Sequence, residues 1–235
     1  TRIYCGVIID NTYLYMGTDN GILIYNYRTD RYEQPATDFP TDVRTMALQG
    51  DTLWIGALNG LYTYQLQNRK LSPLDTKRNG LPHNTIYSII RTGDNQIYVG
   101  TYNGLCRYIA SNGKFEKIPL PVNSSQSNLF VNSLLEDTGR QCIWIGTEGY
   151  LFQYFPSTGQ MKQTEAFHNN SIKSLALDGN GDLLAGTDNG LYVYHNDVTP
   201  LQHIIHDSRN IQSLTNNIIW NIFADQEHNI WLGTD

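Results

Sequence analysis

Apolar and polar residues alternate along this chain in short runs that come in pairs. Leu53-Trp54-Ile55, Ile97-Tyr98-Val99 and Ile143-Trp144-Ile145 each lead through a glycine into a turn, and a second run follows: Leu61–Tyr64, Leu105–Tyr108 and Leu151–Tyr154. A period of two bounded by Gly and Asn predicts strands and hairpins. The clearest copy is Ile97–Tyr108, where Asn103-Gly104 separates two β-rich runs. Both turn residues tolerate the positive φ of a tight turn. The other copies are Leu14–Tyr25, Leu53–Tyr64, Ile143–Tyr154 and Leu183–Tyr194, and Ile230–Asp235 begins a sixth.

The first glycines of the copies are Gly17, Gly56, Gly100, Gly146, Gly186 and Gly233, spaced 39, 44, 46, 40 and 47 residues apart. Each complete copy has a tyrosine eight residues later: Tyr25, Tyr64, Tyr108, Tyr154 and Tyr194. The fourth copy, Gly146-Thr147-Glu148-Gly149-Tyr150, moves its turn glycine one place forward and keeps the distance to Tyr154. Positive φ is expected at Gly21, Gly60, Gly104 and Gly190, with Gly149 doing the same work one place early.

A period near 45 residues suits one four-stranded unit, and the predicted units run about 3–37, 43–75, 86–119, 130–166, 172–206 and a shortened 218–235. Short, evenly spaced strands with no helical period argue for a propeller or a sandwich. A single four-stranded unit cannot hide both faces, so neighbours must stack, and radial stacking closes at about 4–8 blades. The expected fold is an all-β propeller of four-stranded antiparallel blades, with about five and a half blades present. Trp54, Trp144 and Trp231 recur at one scaffold position and are expected between blades.

Composition narrows the partners. Sixteen Lys and Arg against 22 Asp and Glu give a net charge of −6, with no basic run, so nucleic acid is not an expected partner. No apolar run approaches the roughly 20 residues that span a bilayer, and Thr1-Arg2-Ile3 does not begin a signal peptide. Any membrane attachment is expected through regions outside this sequence. Cys5, Cys106 and Cys142 fall in apolar strand positions of different repeats and read as small buried hydrophobes. No metal or cofactor is expected: His203 and His206 are three apart in a predicted strand, which puts the rings on opposite faces. Asp137, Glu148, Asp178 and Asp225 follow the repeat, so no glycosidase carboxylate pair stands out.

The pattern Leu-x-x-Asn-x-Ile-x-x-Ile, then Asp, a turn, Ile-Trp-Ile-Gly-Thr and Asn-Gly-Leu-x-x-Tyr resembles the two-component regulator propeller repeat. Leu81–Tyr108 and Leu214–Thr234 carry it best, while Tyr150 and Leu184 depart from it. The resemblance implies a seven-bladed propeller in the periplasmic sensor region of a Bacteroides-type hybrid two-component system histidine kinase. It further implies a second propeller and an Ig-like domain in the same full-length chain, a homodimer, and oligosaccharides from complex polysaccharides as ligands regulating carbohydrate utilisation. The region itself is then no enzyme. Two other readings stay open: a propeller glycosidase or lyase, and a protein-interaction or dimerisation propeller.

In a propeller, loops entering the innermost strands share a face with the hairpin turns. Entering-loop candidates are Asp42, Arg44, His83, Asn84, Tyr87, Asn128, Asn132, Asn170, Lys173, Asn216 and Trp220. Asp19-Asn20, Asn103 and Asp188-Asn189 line the turns. Arg44, Tyr87, Asn132, Lys173 and Trp220 occupy one repeat position, just after the apolar residue opening the strand, yet differ in every unit. With His83 they form the expected ligand-binding set. Tyr87 or Trp220 would stack on a sugar, and Arg44 and Lys173 would face a uronate or sulfate.

Overall fold

The computed structural model describes residues 1–33, 35, 37–121, 129–164, 170–195 and 202–235. Gln34, the loop Val122–Asn128 with candidate Asn128, the end of the fourth blade at 165–166, and Leu201 lie outside the described residues. The chain divides into two compact units, Thr1–Leu120 and Pro121–Asp235.

Three sheets make the first unit. They are β1 (Ile3–Ile9), β2 (Tyr13–Thr18), β3 (Gly21–Asn26) and β4 (Arg31–Glu33); β5 (Val43–Gln49), β6 (Thr52–Ala57), β7 (Gly60–Gln65) and β8 (Lys70–Leu74); and β9 (Ile86–Arg91), β10 (Ile97–Thr101), β11 (Gly104–Ile109) and β12 (Lys114–Ile118). The second unit holds β13 (Val131–Asp137), β14 (Cys142–Thr147), β15 (Leu151–Phe155) and β16 (Gln160–Gln163); β17 (Ile172–Leu177), β18 (Leu183–Thr187), β19 (Gly190–Tyr194) and β20 (Gln202–Ile204); and a two-stranded sheet of β21 (Ile219–Ala224) and β22 (Ile230–Thr234). Each sheet is an antiparallel meander in chain order. The fold is an all-β propeller, with five four-stranded blades and two strands of a sixth among the described residues.

The alternation predicts no helix, but a single turn, α1 (Thr76–Asn79), joins β8 to β9. Asp75 caps it by accepting from the amides of Lys77 and Arg78 at 2.9 and 2.7 Å, and Gly80 ends it at φ 73°. These are ordinary helix start and stop signals. Among the described residues no helix is long and apolar enough to cross a membrane.

The recurring first glycine is a socket. A Cβ on Gly56 would lie 2.6 Å from Ile86 Cγ2, at the start of the next sheet. The same holds for Gly17 against Val43 Cγ1 (2.7 Å), Gly146 against Ile172 Cγ2 (2.5 Å) and Gly186 against Ile219 Cγ2 (2.7 Å). Each plug, Val43, Ile86, Ile172 and Ile219, is completely buried. No side chain larger than hydrogen fits, and that is why the residue returns once per blade.

Around the socket the blades are stitched by polar and aromatic contacts. Thr45 Oγ1 accepts from the Ile89 amide at 3.1 Å, and Ser174 Oγ accepts from the Ile222 amide at 3.0 Å. The recurring tyrosine packs on the preceding blade: Tyr108 meets Trp54 edge-on at 4.8 Å, and Tyr194 shares a core with Trp144 and Ile172. Trp54 and Trp144 are buried, as the pattern predicts. Trp231 is not; it is 61% exposed. The cover that Tyr108 gives Trp54 comes from a following sheet, and none follows β22 among the described residues.

The hairpins also depart from expectation. Gly21, Gly104 and Gly190 have φ of 110°, 95° and 96°, but Asn20, Asn103 and Asn189 stay at negative φ. Each loop is a turn closed by one positive-φ glycine. A buried threonine braces it: Thr101 Oγ1 donates to Gly104 O (2.9 Å) and accepts from the Asn103 amide (3.0 Å), and Thr18 and Thr187 do the same. Gly60 lacks the expected positive φ. Ala57 stands at the threonine position there, and Gly60 serves as space instead, since a Cβ would lie 2.9 Å from the Tyr62 ring. Gly149, with φ 86°, follows Glu148 at negative φ, the order of a type II turn.

Gly56→Ala should destabilise the protein by about 1–3 kcal/mol through overpacking. Gly139→Ala, where the nearest atom is 3.4 Å away, should change stability little. Urea unfolding of both variants checks this, and equal effects would show that the socket is not what the glycine provides.

Candidate ligand-binding face

The variable position is a β-bulge in every sheet. In the second sheet Val43 pairs with Ala57 and Thr45 with Gly56, which leaves Arg44 without an opposite residue. The register skips Tyr87, Asn132, Lys173 and Trp220 in the same way. A bulge sets one residue outside the pleat and re-aims its side chain. These positions are therefore released from packing, while the residues on either side serve as plug and stitch. Tyr4, skipped between Ile3 and Cys5, is a sixth member that sequence reasoning passed over. Its signal was present, because it follows the opening apolar residue Ile3 in the first repeat.

Backbone bonds bring the entering loops to the turns of the preceding sheet. The Asp42 amide donates to Asp19 O at 3.1 Å, the Gly149 amide to Asn170 O at 3.0 Å and the Gly190 amide to Asn217 O at 2.7 Å, while within the third sheet the Tyr102 amide donates to Thr85 O at 3.1 Å. Thr85 Oγ1 donates to Leu58 O at 3.0 Å, and Asp188 Oδ1 accepts from the Ser171 amide at 3.1 Å.

The first unit holds Tyr4, Arg44, His83 and Tyr87. The Arg44 guanidinium lies 3.9 Å over the Tyr4 ring, with Nη2 3.4 Å from Asp42 Oδ1. His83 Nδ1 accepts from the Thr85 amide at 3.0 Å, and its ring lies 4.8 Å from that of Tyr102. Asn84 is exposed and Tyr87 is half-buried. The second unit holds Asn132, Lys173 and Trp220. Lys173 Nζ sits 4.7 Å over the Trp220 ring, whose Nε1 donates to Asp235 Oδ1 at 2.7 Å. Asn132 Nδ2 donates to Ser171 Oγ at 3.0 Å. Asn216 Oδ1 accepts from the Ile218 amide at 2.8 Å, which commits it to its own loop. In both units a cation rests on an aromatic ring from the neighbouring blade. One face each of Tyr4 and Trp220 is thereby occupied.

Of the four acidic residues that follow the repeat, Asp137, Asp178 and Asp225 brace turns, while Glu148 is exposed. Asp137, buried, accepts from Trp144 Nε1 (3.0 Å), the Arg140 amide (3.0 Å) and Arg140 Nη1 (2.8 Å). Burial acts to raise its pKa, but the bonds from Trp144 and Arg140 outweigh that and hold it below the usual carboxylate value. Arg140 also reaches the next blade, donating to Gly181 O at 2.9 Å and His195 O at 3.2 Å. Asp225, at the equivalent turn, is held at about 2 by donation from Trp231 Nε1 and Asn229. Asp178 accepts from the amides of Asn180 and Asp182, both at 2.8 Å.

His203 Nε2 is 2.7 Å from Asn189 O and its ring stacks on Tyr192, while His206 Nδ1 meets Leu214 O. Among the described residues no three His, Cys, Asp or Glu side chains gather to hold a metal. Burial pushes the Cys5 thiol up to about 12 and raises that of Cys106 as well, so neither offers a thiolate.

A model of the two component regulator propeller family matches residues 80–103 and 213–235. These two segments carry the two component regulator propeller repeat. Each matched segment runs through the first two strands of a sheet and contains a bulge residue, Tyr87 or Trp220. The propeller is 92% identical to the extracellular domain of a B. thetaiotaomicron protein, assigned as a one component system in one crystal structure and as a hybrid two component system in another. The TM-scores are 0.96 and 0.97, over 100% of this chain and 32% of that one. It is 27% identical over 253 residues to histidine kinase P4 of Formosa agariphila, covering 94% of this chain and 17% of that protein. The chain thus spans about a third or less of the length of these relatives. Virginiamycin B lyase from Staphylococcus aureus, 14% identical with a TM-score of 0.71 over 98% of this chain and 76% of the lyase, shares the fold alone.

Asp137→Asn should cost the protein about 3 kcal/mol at neutral pH, because it weakens a buried pair and leaves Arg140 partly unmatched. The folded-state pKa of Asp137 is depressed, so its contribution is full above the unfolded value of about 3.9 and is lost as pH falls through the folded value. Thermal melts between pH 7 and 2 should show a shallower acid decline in Asp137→Asn than in wild type. Parallel curves would remove Asp137 from the acid response.

Proposed function

We propose that this chain is part of the extracytoplasmic, ligand-sensing region of a hybrid two-component system histidine kinase, acting in the periplasm and recognising an oligosaccharide released from a polysaccharide. The observation that carries the reading is the 92% identity, along the whole chain, to an extracellular domain assigned to such a system. In the full-length protein the region works with a second propeller, an Ig-like domain and a homodimeric partner, and the kinase lies elsewhere in that chain.

The geometry supports recognition without catalysis. Asp137, Asp178 and Asp225 are tied to turn amides and indoles, which leaves none of them free as a general acid or base. The bulge residues, by contrast, are polar or aromatic and partly exposed, and their contacts across blades, such as Arg44 on Tyr4 and Lys173 on Trp220, are solvent-facing. Recognition without turnover needs no more than fixed polar and aromatic side chains of this kind.

In the complete extracytoplasmic region, Arg44→Ala, Tyr87→Ala and Lys173→Ala should leave the melting temperature nearly unchanged and weaken oligosaccharide binding in calorimetric titration. Trp144→Ala should cost about 3–5 kcal/mol of stability as a core truncation. Wild-type affinity in all three surface variants would rule out this face. Prolonged incubation with host and plant polysaccharides should release no new reducing ends or unsaturated products. Release that disappears on mutating a single Asp or Glu would put an enzyme in place of a sensor.

A further inference from the structure

The geometry points to a neutral saccharide, rich in free hydroxyls and without acidic groups, as the ligand class for the bulge site of the first unit; this rests on the glycan-sensing reading above. A uronate or sulfate needs a cation to spare, and Arg44 has none. Its guanidinium lies 3.9 Å over Tyr4 on one side and 3.4 Å from the Asp42 carboxylate on another. An incoming anion would meet Asp42 along with Arg44, and like charges repel at that range.

Two groups on the loops joined by the backbone contact between Asp42 and Asp19 remain unused. Asp19 Oδ1 and Arg44 Nε are both buried without a hydrogen-bond partner, one an acceptor and the other a donor. Asp19 is carried beside the site by its carbonyl, which accepts from the Asp42 amide at 3.1 Å. A hydroxyl donates and accepts at once, so neighbouring sugar hydroxyls can serve the carboxylate and the guanidinium together. A carboxylate or sulfate only accepts and leaves Asp19 unserved. The Asp42 and Arg44 side chains keep 42% and 32% of their surface exposed, so a ligand reaches the pair from solvent, and a small turn of the Arg44 side chain presents its unused Nε. Arg44 covers one face of Tyr4, so recognition there runs through hydroxyls.

The second unit repeats the composition independently. Lys173 rests 4.7 Å over Trp220, and the Trp220 indole donates to the Asp235 carboxylate at 2.7 Å. Cation, aromatic ring and carboxylate recur at the bulges of neighbouring sheets, with one acid to each base.

The test is calorimetric titration of the complete extracytoplasmic region with two panels: neutral oligosaccharides from glucan, mannan, xylan, arabinan and galactan, and acidic ones from polygalacturonate and sulfated glycosaminoglycans. Asp42 has φ 53°, a conformation Asn also tolerates, so Asp42→Asn removes the charge without backbone strain. Binding is expected in the neutral panel, weakened about 10-fold by Asp42→Asn, as for loss of a charged hydrogen-bond partner. Binding confined to the acidic panel, and strengthened by Asp42→Asn, would overturn the ligand class and leave glycan sensing standing. Neutral binding unchanged in Asp42→Asn, Asp19→Asn and Arg44→Gln would overturn this location. No binding in either panel would sink the glycan-sensing reading itself.

Discussion

Neighbouring blades meet where a β-branched side chain seats on a glycine, and the other features of the blades follow from it. Gly56 receives Ile86, Gly146 receives Ile172 and Gly186 receives Ile219 with no room for a methyl group. Because the plug is the first inward residue of its strand, its position sets where the strand begins and brings Thr45 and Ser174 within reach of the next blade's amides. It also sets where the bulge falls. The residue after the plug cannot continue the pleat and still leave the following hydroxyl facing its neighbour, so one extra residue is expelled. Scaffold and recognition surface are thus adjacent residues of one strand: Val43 is buried and Arg44 half-exposed, Ile219 is buried and Trp220 exposed.

The same division governs charge. Acids that recur with the repeat, such as Asp137 and Asp225, are held ionised by indole and amide donors and fasten turns. Acids beside the bulges, Asp42 and Asp235, are matched instead to Arg44 and to the Trp220 indole under Lys173. An acidic chain of net charge −6 thereby presents neutralised constellations at its candidate face, which suits hydroxyl-bearing ligands better than anions or phosphate.

The sequence by itself determined the blade. A period of two, a turn every few residues and a glycine returning at blade spacing leave a stacked four-stranded sheet as the arrangement that covers every apolar face. Each element of that reading is local, decided by residues a few places apart, and the buried Trp54 and Trp144 follow from it. The variable position is legible too, because it breaks a strict repeat, and Tyr4 extends the same series into the first unit.

What the tertiary structure decided depends on contacts between strands far apart in sequence. That the glycine is a socket and not a hinge, and that the variable residue is a bulge, are facts about Ile86 against Gly56 and about cross-strand register, which no single strand encodes. The negative φ of Asn103 follows from the Thr101 hydroxyl holding its amide, and Gly60 departs because Ala57 has no hydroxyl to do so. Trp231 shows the limit most plainly. Its local sequence matches that of Trp144, yet one indole is buried and the other exposed, because burial there is conferred by the neighbouring blade and not by the strand that carries the residue.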